Sequence, residues 1–295
     1  MPATIASNVS PLTSALFKQA WPVIFGLLVM YVPTYLKLAN TVWTDDAYAH
    51  GPIVLMVVLW LIWDKRTVFS KPAEQITTGM GGMLLGFGLL CYVLGRSQDI
   101  LLLEVGSQIP VFTGAILLLQ GKRALLSLWF PLLFVVFMVP LPGFILDTLT
   151  GPLKIQVSWI VEDILYWFDY PIARNGAVIT IGPYQLLVAD ACSGLNSMYS
   201  LSAMGILFMY LRGRTGLVHN GLLLASLLPV AFAANIVRVI ALVLITYYMG
   251  DAAGQGFLHD LSGIVEFVVA LLFIFLLDGV LAMLMLLTVR KRQFS

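Results

Sequence analysis

Apolar runs long enough to cross a lipid bilayer recur along most of this chain, and they constrain its fold more than any other feature. Hydrophobic residues make up 60% of the 295 positions and charged residues 11%, unlike a soluble domain. Because a bilayer core about 30 Å thick takes about twenty apolar residues per helix, we predict an all-α polytopic membrane protein. About eight crossings are predicted, near residues 21–38, 53–63, 79–94, 101–119, 125–140, 195–211, 217–234 and 263–289.

The distribution of Lys and Arg predicts the orientation of these crossings. The segment Val239–Met249 is short for a crossing, and we interpret it as a re-entrant or interfacial helix. With eight crossings, eleven of the sixteen basic residues fall on one side, which the positive-inside rule makes cytoplasmic. A ninth crossing at Val239–Met249 would move the basic stretch 290–292 outside. The predicted outer side then holds His50, Cys192, Arg238 and His259.

One long stretch, about residues 141–191, has no clear crossing and is predicted to form an extramembrane module on the outer face. Residues 145–167 mix charged residues with Trp, Ile and Leu, a pattern typical of an amphipathic helix on a membrane surface. Residues 177–188 are rich in β-branched residues and broken by Gly182-Pro183, which predicts a short β-hairpin. We treat residues 1–295 as a single membrane domain with a short tail at 290–295.

The hairpin leads into a polar segment that contains Cys192, one of two cysteines in the chain. A thiol at a helix N-terminus has a lowered pKa, which favours the thiolate that attacks carbonyl groups. We interpret Cys192 as a nucleophile, with a buried structural cysteine as the alternative. Cys91 lies inside an apolar run and is interpreted as a packing residue.

Two further residues predicted on the outer face suit acyl transfer at a thiol. His259 can take the thiol proton and pass it to a leaving amine. Arg238 is costly to bury at a membrane, and its guanidinium can stabilise an oxyanion or hold a substrate carboxylate. Asn235, one helical turn earlier, adds an amide donor or holds the arginine. The alternatives are that Arg238 snorkels to the headgroups and that His259 is an interfacial loop residue.

The two other histidines are not assigned to the predicted catalytic set. His50, in the loop before the second predicted crossing, is a second base, a substrate contact or a loop residue. His219 is predicted on the cytoplasmic side and is set aside.

We predict no metal site, because two histidines and a cysteine on separate loops lack the spacing of a zinc motif. We also predict no nucleic-acid binding, because there is no basic patch. The glycines between positions 79 and 88 are interpreted as sites of close helix packing.

Together these motifs resemble the exosortases, a multi-pass bacterial membrane family that processes proteins with a C-terminal PEP-type sorting signal. The resemblance rests on Ala191-Cys192-Ser193-Gly194 before one crossing, Asn235-Ile236-Val237-Arg238 near the end of the next, and His259 before the last. The stretch from Trp43 to Gly51 is also similar to the family's N-terminal region. The resemblance implies a cysteine protease or transpeptidase with catalytic Cys192, Arg238 and His259, no cofactor, and no soluble sortase β-barrel.

The resemblance also implies the substrates and the setting. The substrates would be membrane proteins whose tails combine a Pro-Glu-Pro-like motif, a transmembrane helix and a basic end. Cleavage at the periplasmic face of the bacterial inner membrane would leave a thioester on Cys192, resolved by water or an amine, in cells that make exopolysaccharide. Arg238 or Arg174 would meet the glutamate of the motif. The other expected substrate contacts are Asn235, His50 and Ser193, and the chain length favours the B-type branch of the family.

Two other classes of function stay open at this stage. In a polytopic transporter or non-enzymatic membrane protein, Cys192, Arg238 and His259 would line a cavity, although the inverted repeats common in transporters are not evident. An intramembrane serine protease would use Ser193 or Ser197 with His259, although Ala191 stands where a Gly-x-Ser-x-Gly elbow needs glycine. The oligomeric state and the acyl acceptor are not predicted.

Overall fold

Helices form nearly all of the regular structure, as the apolar runs predict. The computed structural model describes residues 11–45, 48–70, 73, 76–140, 143–187, 194–213, 216–250, 252–253 and 257–293. In parts of some helices, including 194–198 and 257–264, only the backbone is described. The chain divides into two compact units, Met1–Leu141 and Pro142–Ser295.

Among the described residues, five helices are long and apolar enough to cross a membrane. They are Trp21–Asn40, Thr78–Ser97, Leu101–Leu119, Val218–Met249 and Val265–Met283. The second and fifth predicted crossings are the shorter apolar helices Gly51–Asp64 and Trp129–Met138, and the sixth is the helix Gly194–Arg212, which is not among the five. A multi-pass membrane protein is therefore supported, whereas the count of eight crossings is not confirmed.

The N-terminal unit consists of helices alone within its described residues. Its elements are α1 (Pro11–Asn40), α2 (Gly51–Asp64), a 3₁₀ helix (Arg66–Ser70), α3 (Thr78–Ser97), α4 (Leu101–Gly106), α5 (Gln108–Leu119), α6 (Lys122–Ser127), α7 (Trp129–Phe134) and a second 3₁₀ helix (Val135–Met138).

Glycines let α3 and α5 pack closely. A Cβ added at Gly88 would lie 2.7 Å from the backbone nitrogen of Val111, and one at Gly114 would lie 2.5 Å from that of Leu85. The close-packing interpretation is thus confirmed for Gly81 and Gly88. It is wrong for the other three glycines of that group, where an added Cβ would meet nothing within 4 Å: Gly79, Gly82 and Gly86.

A row of polar contacts joins α1 to α4, to α5 and to Ser107 between them, and a side chain of α3 adds to it. Side chains three and four positions apart share one face of α1. Thr34 Oγ1 donates to Glu104 Oε1 at 2.6 Å, and Arg96 Nη1 donates to the same oxygen at 2.8 Å. Beside them, Tyr31 contacts Ser107 and Tyr35 donates to Gln108. Because Glu104 is fully buried, these donors compensate for the lost hydration of its carboxylate.

The C-terminal unit begins with a helix and a small sheet and continues with three long helices. Its elements are α8 (Gly143–Trp167), β1 (Ile172–Asn175), β2 (Val178–Ile181), β3 (Tyr184–Leu187), α9 (Gly194–Arg212), α10 (Leu217–Met249) and α11 (Phe257–Gln293).

The predicted hairpin is present as β2 and β3, and β1 extends it to a three-stranded antiparallel sheet. Arg174 of β1 pairs with Ile179 of β2, and Ile181 pairs with Tyr184 across the turn. Gly182 in that turn has a φ of 53°, a left-handed conformation that favours glycine. The third strand was not predicted, because its four residues include Arg174 and Asn175 and do not form an apolar run.

The predicted helix at 145–167 is present as α8, and one apolar stripe of it packs inside the protein. Val157, Val161 and Leu165, spaced four residues apart, are buried against the sheet and against Val239 and Val243 of α10. The opposite face exposes a second set of large side chains: Ile155, Trp159, Tyr166 and Trp167. Its position on a membrane surface stays a prediction.

The segment Val239–Met249 belongs to α10, which runs unbroken from Leu217 to Met249. The prediction of a separate re-entrant or interfacial helix is therefore wrong. The prediction rested on the short length of this segment, but the chain has no glycine or proline between Pro229 and Gly250 to separate it from the residues before it. At 1.5 Å per residue the helix is about 50 Å long and exceeds a bilayer core of about 30 Å.

Candidate active site

The seven predicted site residues are described to different extents. Cys192 and Ser193 lie outside the described residues, and for His259 only the backbone is described, in the first turn of α11. The side chains of Asn235, Arg238, Arg174 and His50 are described in full.

Arg238 forms an ion pair between two neighbouring helices. Its Nη1 donates to Glu266 Oε2 of α11 at 3.0 Å. Arg238 is 7% exposed and Glu266 is 2% exposed. Because both groups have lost most of their hydration, each charge is partly compensated by the other. Arg238 is therefore held inside the protein by a defined partner, and the snorkelling alternative is wrong.

Helical spacing aligns the other predicted residues with this pair. Asn235 is also buried and lies three residues before Arg238, on the same face of α10. On α11, His259 lies seven residues before Glu266, so the two positions share a helix face and are about 10 Å apart along the axis. The same stripe of α11 continues through the buried residues Ala270 and Ile274. The structure thus places Asn235, Arg238 and the backbone position of His259 on two adjacent helices.

The elements on either side of the segment that contains Cys192 both pack against α10. Before it, Leu186 of β3 is buried in a cluster with Val239, the residue after Arg238. After it, α9 packs against α10 and α11 through the cluster of Leu201, Ala231 and Ala270, where small side chains allow close approach. The two elements that flank Cys192 in the sequence therefore both contact the helix of Arg238, and Cys192 precedes the first residue of α9 by two positions.

Arg174, a predicted substrate contact, is paired within the sheet module. Its Nε donates to Glu162 Oε2 of α8 at 2.9 Å, and its Nη1 donates to the carbonyl of Gly176 at 3.4 Å. The side chains of Arg174 and Glu162 are 24% and 26% exposed. A substrate carboxylate at Arg174 would therefore compete with Glu162.

His50 belongs to the N-terminal unit, whereas the other six predicted residues belong to the C-terminal unit. Its Nε2–H donates to the carbonyl of Phe137 at 3.2 Å, just before α2 begins. Burial lowers the pKa of His50 below its usual value, because the charged imidazolium loses hydration, and the bond to the carbonyl opposes this shift.

A second buried ionic cluster joins α9, α10 and α11. Asp278 of α11 is fully buried and accepts from Arg212 Nη2 of α9 at 2.9 Å and contacts His219 Nε2 of α10 at 2.7 Å. His219 and Arg238 are nineteen residues apart on α10, about 28 Å along its axis. His219, which the sequence analysis set aside, thus contacts a carboxylate far along the helix from Arg238.

Glu266 and Asp278 are the polar residues that the sequence analysis missed. A signal was present, because both carboxylates interrupt the apolar run predicted at 263–289. Acids within such a run are costly unless they are paired, so each required a partner. Within the described residues, no group of three or more His, Cys, Asp or Glu side chains is arranged to hold a metal ion.

A family model described as transmembrane exosortase matches residues 42–276. This range covers most of the chain and includes Cys192, Arg238 and His259. Searches of curated proteins and of solved structures give no match.

Proposed function

The chain belongs to the transmembrane exosortase family, and on that premise we propose that it is a membrane-embedded cysteine transpeptidase or protease. The proposed substrates are membrane proteins with C-terminal PEP-CTERM-like sorting signals. The observation that carries the proposal is the buried Arg238, which forms an ion pair with Glu266. Arg238 shares a face of α10 with Asn235, and α10 lies beside α11, the helix that contains His259. A guanidinium buried among membrane helices is costly and marks a functional position.

In the proposed reaction, the Cys192 thiol transfers its proton to His259 and the resulting thiolate attacks the scissile carbonyl carbon. A sulfur–carbon bond forms and negative charge develops on the carbonyl oxygen, which Arg238 stabilises. The carbon–nitrogen bond then breaks, and the leaving nitrogen takes the proton from His259. The thioester that remains on Cys192 is attacked by water or an amine, which gives a proton to His259, and the sulfur leaves as the thiolate. That thiolate then takes the proton back from His259.

We place the proposed active site at the periplasmic face of the bacterial inner membrane. Arg238 lies twenty residues after Val218, where the candidate span begins, or about 30 Å along the helix. Since the basic end near Arg212 is predicted to be cytoplasmic, Arg238 lies at the outer edge of the bilayer core. In intact cells whose chain also carries Cys192→Ala, a membrane-impermeant maleimide should label Tyr248→Cys and leave Lys122→Cys unlabelled. The reverse pattern would overturn this orientation.

The test of the proposed function follows removal of a PEP-type tail from a tagged protein in cells. Cys192→Ala and Cys192→Ser should abolish processing, because neither side chain supplies a thiolate. Cys91→Ala is the matched control: Cys91 is the other cysteine, it is half-buried in α3, and its loss should leave processing unchanged.

Membrane levels of all three variants must match those of the native protein for the comparison to hold. Full processing by Cys192→Ala would refute the thiol mechanism. In that case the serine protease and transporter alternatives would be taken up again.

A further inference from the structure

The carboxylate partner of Arg238 changes what that arginine can do. A lone guanidinium attracts any carboxylate, including the glutamate of a PEP-type motif. Arg238 already has a buried carboxylate at 3.0 Å, so most of its charge is matched before a substrate arrives. The guanidinium is planar, with five N–H donors in a fixed fork, and a bond at Nη1 restricts the direction of the others. A positioned donor suits an oxyanion better than it suits the capture of a carboxylate.

We propose that Glu266 is a positioning residue that holds Arg238 as an oriented hydrogen-bond donor for the developing oxyanion and weakens its binding of acidic substrate groups. This inference rests on the proposed function. It assigns Arg238 to the chemical step, and it leaves the glutamate of the motif to be recognised by a more exposed cation.

The position of Glu266 on α11 strengthens this assignment. Glu266 is two helical turns from His259 on the same helix face. Its bond to Arg238 joins α11 to α10, so it also fixes the axial register between the helix of the proposed base and the helix of the proposed oxyanion donor. One carboxylate therefore controls both the direction of the guanidinium and the relative position of two catalytic segments.

The test measures kcat and KM for tail removal by the purified full-length chain in lipid vesicles, over a series of substrate-to-lipid ratios. Glu266→Gln removes the charge and keeps the side-chain shape. We expect kcat to fall roughly 100-fold, the size of effect that a small misplacement of a catalytic group produces. KM should stay the same or fall, because a guanidinium that has lost the negative charge of Glu266 binds an acidic substrate more tightly. Glu266→Asp, which keeps the charge, should recover part of kcat.

The matched control is Asp278→Asn. Asp278 lies on the same stripe of α11, is also fully buried, and is paired with Arg212 and His219. Asp278→Asn also removes a buried carboxylate from α11 but leaves the pair of Arg238 and Glu266 intact. It therefore measures the effect of losing a buried carboxylate without losing the partner of Arg238. We expect it to lower the yield of folded protein while kcat per folded molecule stays near the native value.

Three results would overturn the proposal: native kcat in Glu266→Gln, a raised KM with unchanged kcat, or an equal loss of kcat in Asp278→Asn. Cys192→Ala, assayed in parallel, separates this inference from the proposed function. If Cys192→Ala is inactive while Glu266→Gln behaves as the native chain, only the positioning role fails. If Cys192→Ala removes the tail, the proposed function fails as well.

Discussion

The pairing of Arg238 with Glu266 is costly to maintain at the level of single residues. Moving two charges out of water costs several kcal/mol per ion, and their attraction in the protein interior often no more than offsets that cost. Two apolar side chains of similar volume would hold α10 and α11 together at least as well. The presence of the pair is therefore better explained by a use for the guanidinium than by stability.

Sequence reasoning identified Arg238 and Asn235 because polar groups stand out in an apolar helix, but it did not identify Glu266. The two acids of α11 and the cations of α9 and α10 allow more than one pairing. Only the antiparallel packing of α10 and α11 assigns Glu266 to Arg238 and Asp278 to Arg212 and His219. For Cys192, Arg238 and His259, the catalytic assignment stays a prediction.

A change in pH should reveal the buried state of His50. Its pKa is lowered in the folded protein, so below about pH 6.5 the unfolded chain binds a proton at this residue that the folded chain does not. The free energy of unfolding should therefore fall as the pH falls through 6.5, and this part of the fall should end below the lowered pKa of the folded state. Thermal unfolding in detergent between pH 5 and pH 8 measures it.

His50→Asn is the control for this prediction, because an amide can donate to the carbonyl of Phe137 without titrating. The variant should show a shallower loss of stability on acidification than the native protein. The same pH dependence in both proteins, or a native protein that becomes more stable on acidification, would contradict the burial of a neutral imidazole.

At the level of elements, the contact between α3 and α5 depends on individual glycines. In Gly88→Ala the new methyl would meet the backbone nitrogen of Val111 at 2.7 Å, and backbone atoms cannot move away without separating the helices. We expect a loss of about 1–3 kcal/mol, typical of overpacking. The melting temperature in detergent, followed by tryptophan fluorescence, checks this value.

Gly86→Ala on the same helix provides the comparison, since its added Cβ meets nothing within 4 Å. It should be neutral or stabilise the protein by up to about 1 kcal/mol, because alanine favours helix more than glycine does. Equal melting temperatures for the two variants would show that Gly88 does not set the distance between the helices.

The elements that sequence reasoning predicted well are those with a strong local pattern. A stretch rich in β-branched residues and broken by Gly182-Pro183 indicated β2 and β3, and the mixed pattern at 145–167 indicated α8. Strand β1 was missed because its pairing with β2, and not its composition, makes it a strand. The continuity of α10 was missed because Val239–Met249 was judged by its own length and not as the end of a helix that begins at Leu217.

At the scale of the whole molecule, the C-terminal unit holds two buried ionic clusters at different depths of one helix bundle. The cluster of Asp278 lies near the ends of α9 and α10 that are predicted to be cytoplasmic, and the pair of Arg238 and Glu266 lies farther along the bundle. The family match extends across both units, from residue 42 to residue 276. The single-domain organisation stays a prediction.

The central claim is that an acyl group passes through Cys192, and trapping that group tests it most directly. Hydroxylamine at neutral pH attacks a thioester and leaves a hydroxamate on the released acyl group. In vesicles that contain the purified chain and a substrate with a PEP-type tail, mass spectrometry should find a hydroxamate at the new C-terminus of the cleaved protein. The product should be absent with Cys192→Ala. A hydroxamate formed by Cys192→Ala, or an acyl group found on Ser193, would contradict the account.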